Sequence, residues 1–188
     1  MSDEIKKGLI GIVVDETTIS KVMPDINSLT YRGYPVQELC EGCTFEEVAY
    51  LVWHGNLPNS LELKKFKSEE RQNRRISINL TKIIEHMPKK SHPMDVARTA
   101  VSVMALEDKE TSDNSPEANM RKAMRIFAKI PTVLGAFYRI RKGKKILKPK
   151  KNLEFSENIF YLFFGKIPQK KIVKAFDVSL ILYAEHGF

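Results

Sequence analysis

The sequence predicts a mostly helical chain with a small β element at its start. Three observations support this reading. Helix caps followed by apolar residues at helical spacing recur from Thr44 onward, glycine or proline punctuates these runs, and the β-branched, glycine-punctuated residues gather before Pro35. At 188 residues with 43% hydrophobic content, the chain is long enough for one substantial core and too apolar for disorder. No internal repeat and no low-complexity linker interrupts it, so the expected organisation is one domain, with residues 1–35 as the β element and 36–188 as helices.

Taken in order, residues 8–14 (Gly8-Leu9-Ile10-Gly11-Ile12-Val13-Val14) and 17–19 suit short extended strands. Residues 25–28 read as a turn, and residues 29–35 as a pairing strand that Gly33 and Pro35 stop. Thr44-Phe45-Glu46-Glu47 is a capping-box pattern, and the helix behind it carries Val48, Leu51 and Val52 until Gly55 ends it. Ser60 is placed to cap a highly charged helix reaching about Arg74, and residues 80–87 form a third helix that Pro88 terminates; both are expected on the surface. His92-Pro93-Met94-Asp95 opens a more apolar helix, expected to be buried, with proline in the first turn where its missing N–H costs nothing. A polar loop over 107–115 leads to Ser115-Pro116-Glu117, a helix start. Pro131 falls inside that helix and is expected to kink or break it. Residues 143–152 make a basic loop, residues 155–164 a helix closed by Gly165, and Pro168 opens a last helix. From Ile172 to Ala184 that helix is apolar nearly all round, which predicts a path through the interior of something larger. A buried helix running to the last residues predicts an incomplete domain.

Composition narrows the function classes. Cys40 and Cys43 are too few for a disulfide framework and fit a reducing, cytoplasmic setting. No run approaches the roughly 18 to 20 apolar residues of a membrane helix, and the apolar run 9–14 is shorter than a signal-peptide core. The formal charge of +8 is concentrated, because residues 118–153 contain no acid while holding Arg121, Arg125, Lys129, Arg139 and eight further basic residues. Such a stretch fits a nucleic-acid surface, a pocket for a phosphorylated cofactor, or a solvated lysine-rich face. Nucleic acid is disfavoured, since zinc-finger spacing, a glycine-aromatic RNA-binding signature and aromatics interleaved with the basic residues are all missing.

Chemistry-bearing groups are sparse. Cys40-Glu41-Gly42-Cys43 has half-site spacing, but no second pair accompanies it, so both thiols read as packing residues and no metal site is expected. His54 and His86 sit at helix ends, where partial positive charge suits the dipole. His186 is expected in the last turn of the apolar helix beside Glu185, and a polar pair there must find partners or face a cavity. It reads either as a buried structural histidine or as a ligand-binding one. Phosphate loops, nucleophile elbows and zinc-protease motifs are lacking.

Several segments, in order, resemble the citrate synthase family: Gly8-Leu9-Ile10-Gly11; Leu29-Thr30-Tyr31-Arg32-Gly33-Tyr34; residues 44–55 followed by Leu57-Pro58; Ser91-His92-Pro93-Met94-Asp95; Ala128-Lys129-Ile130-Pro131 with Tyr138-Arg139; and Leu182-Tyr183-Ala184-Glu185-His186. The resemblance covers nearly the whole chain. It implies an all-α fold, the amino-terminal part of the family's large helical domain with a small β element, belonging to an intertwined homodimer. It implies condensation of an acyl-CoA with oxaloacetate and hydrolysis of the thioester, with acyl-CoA as co-substrate and no permanently bound cofactor or metal. His186 matches the histidine that hydrogen-bonds oxaloacetate, and Arg139 matches a position near the CoA phosphates. No catalytic residue is implied within residues 1–188, because the family's catalytic histidines, its catalytic aspartate and the arginines that clamp substrate carboxylates lie further on. The expectation is therefore an inactive piece of an acyltransferase. Residues 91–99 and 182–186 look closer to 2-methylcitrate synthases, which leaves acetyl-CoA and propionyl-CoA both open. The alternative is a non-enzymatic basic helical module that binds nucleic acid or another polyanion.

Overall fold

The computed structural model of the chain describes residues 8, 11–13 and 15–186. A three-stranded antiparallel sheet comes first, β1 (Ser20–Met23), β2 (Ser28–Tyr31) and β3 (Tyr34–Pro35), in that spatial order. A 3-10 turn, Pro24–Ile26, with Asn27 in the left-handed region joins β1 to β2, where the sequence reading placed a turn. The pairing of Tyr31 with Tyr34 leaves Arg32 and Gly33 as a two-residue hairpin turn with φ of 50° and 90°, the double positive φ that matches the twist of the flanking strands. An arginine tolerates this conformation here because its guanidinium is tied down, donating from Nη2 to the Val52 carbonyl (2.9 Å) and from Nη1 to Thr18 Oγ1 (2.7 Å). The expected strand at 8–14 and 17–19 is corrected: residues 17–19 precede β1, residues 8 and 11–13 form no strand, and Leu9, Ile10 and Val14 lie outside the described residues. A strand needs a partner, and β2 is paired to Ser20–Met23 by a register that the turn fixes.

Eight helices follow among the described residues. The first, α1 (Val36–Gly42), was not separated out in the sequence reading; it buries Val36 and Leu39. In α2 (Phe45–His54) both halves of the Thr44–Glu47 capping box form, and Gly55 stops the helix at φ 90°. The cap of α3 (Ser60–Asn73) is Asn59 rather than Ser60, because Asn59 Oδ1 reaches the amides of Leu61 and Glu62 while Glu62 answers to the Asn59 amide. Ser77 and His92 cap α4 (Ile78–His86) and α5 (Pro93–Glu107). Only one face of α5 is buried, through Val96, Ala97, Ala100 and Met104, while Met94 and Leu106 are exposed.

The spine is α6 (Pro116–Arg141), which packs against α3, α4, α5 and α7 (Phe155–Phe164). Pro131 does not break it; the helix continues to Arg141. A mid-helix proline costs about 3 kcal/mol, and full burial of Val133 and Phe137 in the following turns contributes about 1.5–3 kcal/mol for each side chain. The next residue is also held from outside the helix, with Thr132 Oγ1 donating to the Arg74 carbonyl at 2.7 Å. One core cluster joins α4, α5 and α6 through Leu80, Ile84, Val96, Ala100, Val133 and Phe137. A second joins the sheet, α1, α2 and α8 (Lys170–Leu182) through Tyr31, Leu39, Val48, Leu51 and Ile181. Within these residues α8 ends at Leu182 and buries Asp177 and Ile181, because α1, α2 and α7 cover one flank of it and leave Ile172 and Leu182 exposed.

Contact between α6 and α7 is close at Gly135, where an added Cβ would stand 2.8 Å from Leu162 Cβ. Gly135→Ala is therefore expected to destabilise the protein by about 1–3 kcal/mol, as overpacked sites do, measured as a lower midpoint in urea unfolding. An unchanged midpoint would show that the two helices part without cost.

Candidate substrate-binding site

The sheet and the end of α8 build the region that holds His186. Tyr31, fully buried on β2, donates its hydroxyl to the carbonyls of Ile181 (2.9 Å) and Leu182 (3.2 Å). These are last-turn carbonyls, which lack partners within the helix. Burial pushes the phenol pKa up, so the group stays a proton donor across the physiological range. Beyond the helix Ala184 packs against the same core cluster, and Ser20 Oγ on β1 donates to Glu185 Oε2 at 2.6 Å. Two strands thus fix the chain on both sides of the helix end.

His186 follows this anchored segment and is exposed. The ring lies past the end of α8 instead of in its last turn, and it faces solvent rather than an interior. The adjacent carboxylate does the structural work, and the imidazole stands at the edge of the fold with its position set by Glu185. Among the described residues, clefts lie elsewhere: one of about 840 Å3 between α4 and the basic loop, and one of about 700 Å3 between the end of α5 and α6.

Arg139 is half-buried at the end of α6. Its Nε donates to the Lys145 carbonyl and its Nη1 to the Phe163 carbonyl (3.2 Å), which ties the basic loop to the end of α7. The structure therefore does not bring His186 and Arg139 into one described contact. Other members of the acid-free stretch are also engaged. Arg125 holds Asp108 (2.7 Å) and Glu110 (2.8 Å), acids supplied by the loop before α6, and Lys150 Nζ lies 4.3 Å from the centre of the Tyr161 ring. Unbalanced positive charge gathers instead along the cleft beside α4, where Arg75, Lys82, Lys145 and Lys148 face a single acid, Glu85. Cys40 and Cys43 are half-buried against the second core cluster, and burial raises both thiol pKa values, as expected of packing residues. Sequence reasoning missed Ser20 and Tyr31, since a hydroxyl that acts across more than 100 residues leaves no local pattern; the resemblance flagged Tyr31 only as part of a motif.

The family model described as citrate synthase, C-terminal domain, matches residues 8–188. The 2-methylcitrate synthase of Mycobacterium tuberculosis is 47% identical over 185 residues, covering 98% of this chain and 47% of its own length. The citrate synthase of Mycolicibacterium smegmatis is 47% identical over 184 residues, covering 98% of this chain and 49% of its own. Among solved structures, citrate synthase from Thermotoga maritima superposes with a TM-score of 0.86 at 34% identity, over 98% of this chain and 48% of that one. A ternary complex of the Thermoplasma acidophilum citrate synthase with carboxymethyl coenzyme A and oxaloacetate gives 0.92 at 25% identity, over 98% and 49%. The chain spans about half the length of the relatives it matches.

Tyr31→Phe is expected to cost about 1–3 kcal/mol, the penalty for leaving buried acceptors unpaired, and to speed amide exchange at residues 183–186. Wild-type exchange rates there would show that the hydroxyl does not hold the segment carrying His186.

Proposed function

Because this chain belongs to the citrate synthase family, we propose that its residues form the amino-terminal part of an acyltransferase that condenses acetyl-CoA or propionyl-CoA with oxaloacetate, giving citrate or 2-methylcitrate and free CoA. The observation that carries this reading is the 47% identity to a 2-methylcitrate synthase across 98% of the chain. His186 is the group offered to oxaloacetate. A neutral or charged imidazole donates to a keto or carboxylate oxygen, and Tyr31, Ser20 and Glu185 hold the backbone that aims it. Its exposure fits half of a pocket whose other wall comes from residues outside these 188. The acid–base pair that removes the α-proton and the arginines that clamp the diacid belong to that other part.

Arg139 takes the CoA phosphates in this reading through Nη2, since Nε and Nη1 already hold backbone carbonyls. Acyl-CoA is a co-substrate, and the reaction uses no resident cofactor. The enzyme works as a cytoplasmic homodimer. Exposed apolar side chains at Ile78, Met94 and Leu106 fit surfaces covered in an assembled enzyme, and no helix among the described residues is long and apolar enough to cross a membrane.

The test is thiol release from acetyl-CoA and from propionyl-CoA in the presence of oxaloacetate. The longer parent chain is expected to be active and residues 1–188 alone inactive. Loss of a hydrogen bond to a charged group costs about 1.5–3 kcal/mol, so His186→Ala in the parent is expected to lower kcat/KM for oxaloacetate by about 10- to 100-fold. Full activity in that variant would remove His186 from the site, and an inactive parent would overturn the assignment.

A further inference from the structure

Glu46, in the first turn of α2, is 2% exposed and belongs to none of the groups discussed above. Its Oε1 accepts from the Phe155 amide at 3.0 Å, and its carboxyl lies within hydrogen-bond reach of the Glu154 carboxyl. Two carboxyl groups in such contact require a proton between them. The cations decide which residue carries it. Glu154 is 51% exposed and receives Lys67 Nζ at 2.9 Å and Arg71 Nη2 at 2.8 Å, both from α3, so its charge is compensated and hydrated. Glu46 is dry and has one backbone donor, which makes it the acid.

We infer that Glu46 is a neutral carboxylic acid that donates its proton to Glu154, and that release of this proton is a built-in switch loosening the seam where the first turns of α2 and α7 meet the middle of α3. Burial pushes the Glu46 pKa up from its ordinary 4.5 to about 7. Burial opposes ionisation of Glu154 too, but hydrogen bonds from Lys67, Glu46 and Arg71 outweigh it and hold that residue at about 2.

The groups facing Glu46 pull in both directions. Lys67 of α3, the Phe155 amide and the amino-terminal dipole of α2 favour its ionised form, while Arg71 is paired with Glu154. Against this stand burial and Glu154; the nearby acids Glu157 of α7 and Asp177 of α8 are occupied elsewhere, Glu157 by the Glu154 amide and Asp177 by the Phe45 amide and Ser156 Oγ. The neighbouring Glu70–Arg74 pair on α3 is neutral within itself, and Glu47 is occupied by its own capping box. Solvent reaches the outer side through a cleft of about 670 Å3 lined by Lys67, Arg71, Lys151 and Glu154. On the inner side the seam is aromatic, with Phe155 stacked on Phe127 at 4.7 Å and close to Phe45 at 5.2 Å. A bare carboxylate at Glu46 therefore faces Glu154 on one side and rings on the other.

The direction of the pH effect follows. Glu46 binds its proton more tightly when folded, so its contribution to stability is complete below about pH 4.5 and is lost as the pH rises through about 7. Glu154 behaves oppositely, losing its contribution only as the pH falls from about 4.5 towards 2. Between about pH 5.5 and about pH 8, only Glu46 of the pair changes state.

Thermal unfolding of the protein and of Glu46→Gln across that interval tests the inference. Glutamine can accept from the Phe155 amide and donate to Glu154 without titrating. The wild type is expected to lose several degrees of Tm relative to the variant as the pH rises, together with protection of the Phe155 amide. Parallel pH profiles for the two proteins would overturn the inference. Should the variant fail to fold, the carbon-13 titration of the wild-type Glu46 carboxyl decides the matter: a midpoint near 7 supports the shared proton, and one near 4.5 removes it.

Discussion

A guanidinium with almost no solvent around it organises this molecule. Arg74 is 1% exposed; it grips Glu70 through Nε and Nη2 and donates from Nη1 to the carbonyls of Lys150 (2.6 Å) and Leu153 (2.8 Å). Its own carbonyl accepts from Thr132 on α6. One residue thus ties the end of α3, the turn of α6 after Pro131 and the end of the basic loop. Taking both charges of such a pair out of water costs several kcal/mol per ion, and the cost is met only when the donors find partners, as they do here. The arrangement is less a source of stability than a demand on geometry: the loop over 143–152 has to return to α3, and α7 has to start where it does.

The position of α7 then governs two other features. Its first turn brings Glu154 and the Phe155 amide to Glu46, and its flank brings Leu162 onto Gly135. Along the next element, α8, Asp177 bonds the Phe45 amide at the start of α2 and Ser156 on α7, while Ile181 enters the core beside Tyr31. The route from Arg74 to His186 is therefore a series of packed contacts with few free rotations. The fold holds the segment before His186 in place, and His186 itself is exposed within these residues.

Much of the helical plan was legible from local chemistry. Thr44 with Glu47, Ser115 before Pro116, Gly55 and Gly165 act within one or two turns, and each stands where the spacing placed it. Where local rules fell short, neighbours distant in sequence decided the outcome: the helix continues through Pro131 with Thr132 held by the Arg74 carbonyl, and α1, α2 and α7 cover only one flank of α8 within these residues. Arg74 itself looked like the solvated end of a charged helix, because nothing in its surroundings along the chain announces the Lys150 and Leu153 carbonyls.

The candidate site divides along the same line. Residue order alone identified the family, and with it His186 as the group to examine. The local sequence also determined several helix ends, at Thr44, Gly55, Ser115 and Gly165, since capping and backbone strain are settled within a few residues. Only the tertiary structure decided that Glu185 is the anchored member of its pair, that Arg139 binds two backbone carbonyls, and that Glu46 is buried against the Phe155 amide beside Glu154. Burial and long-range hydrogen bonding set the charge state and orientation of a side chain, and both are properties of the packed neighbours rather than of the residue that carries the group.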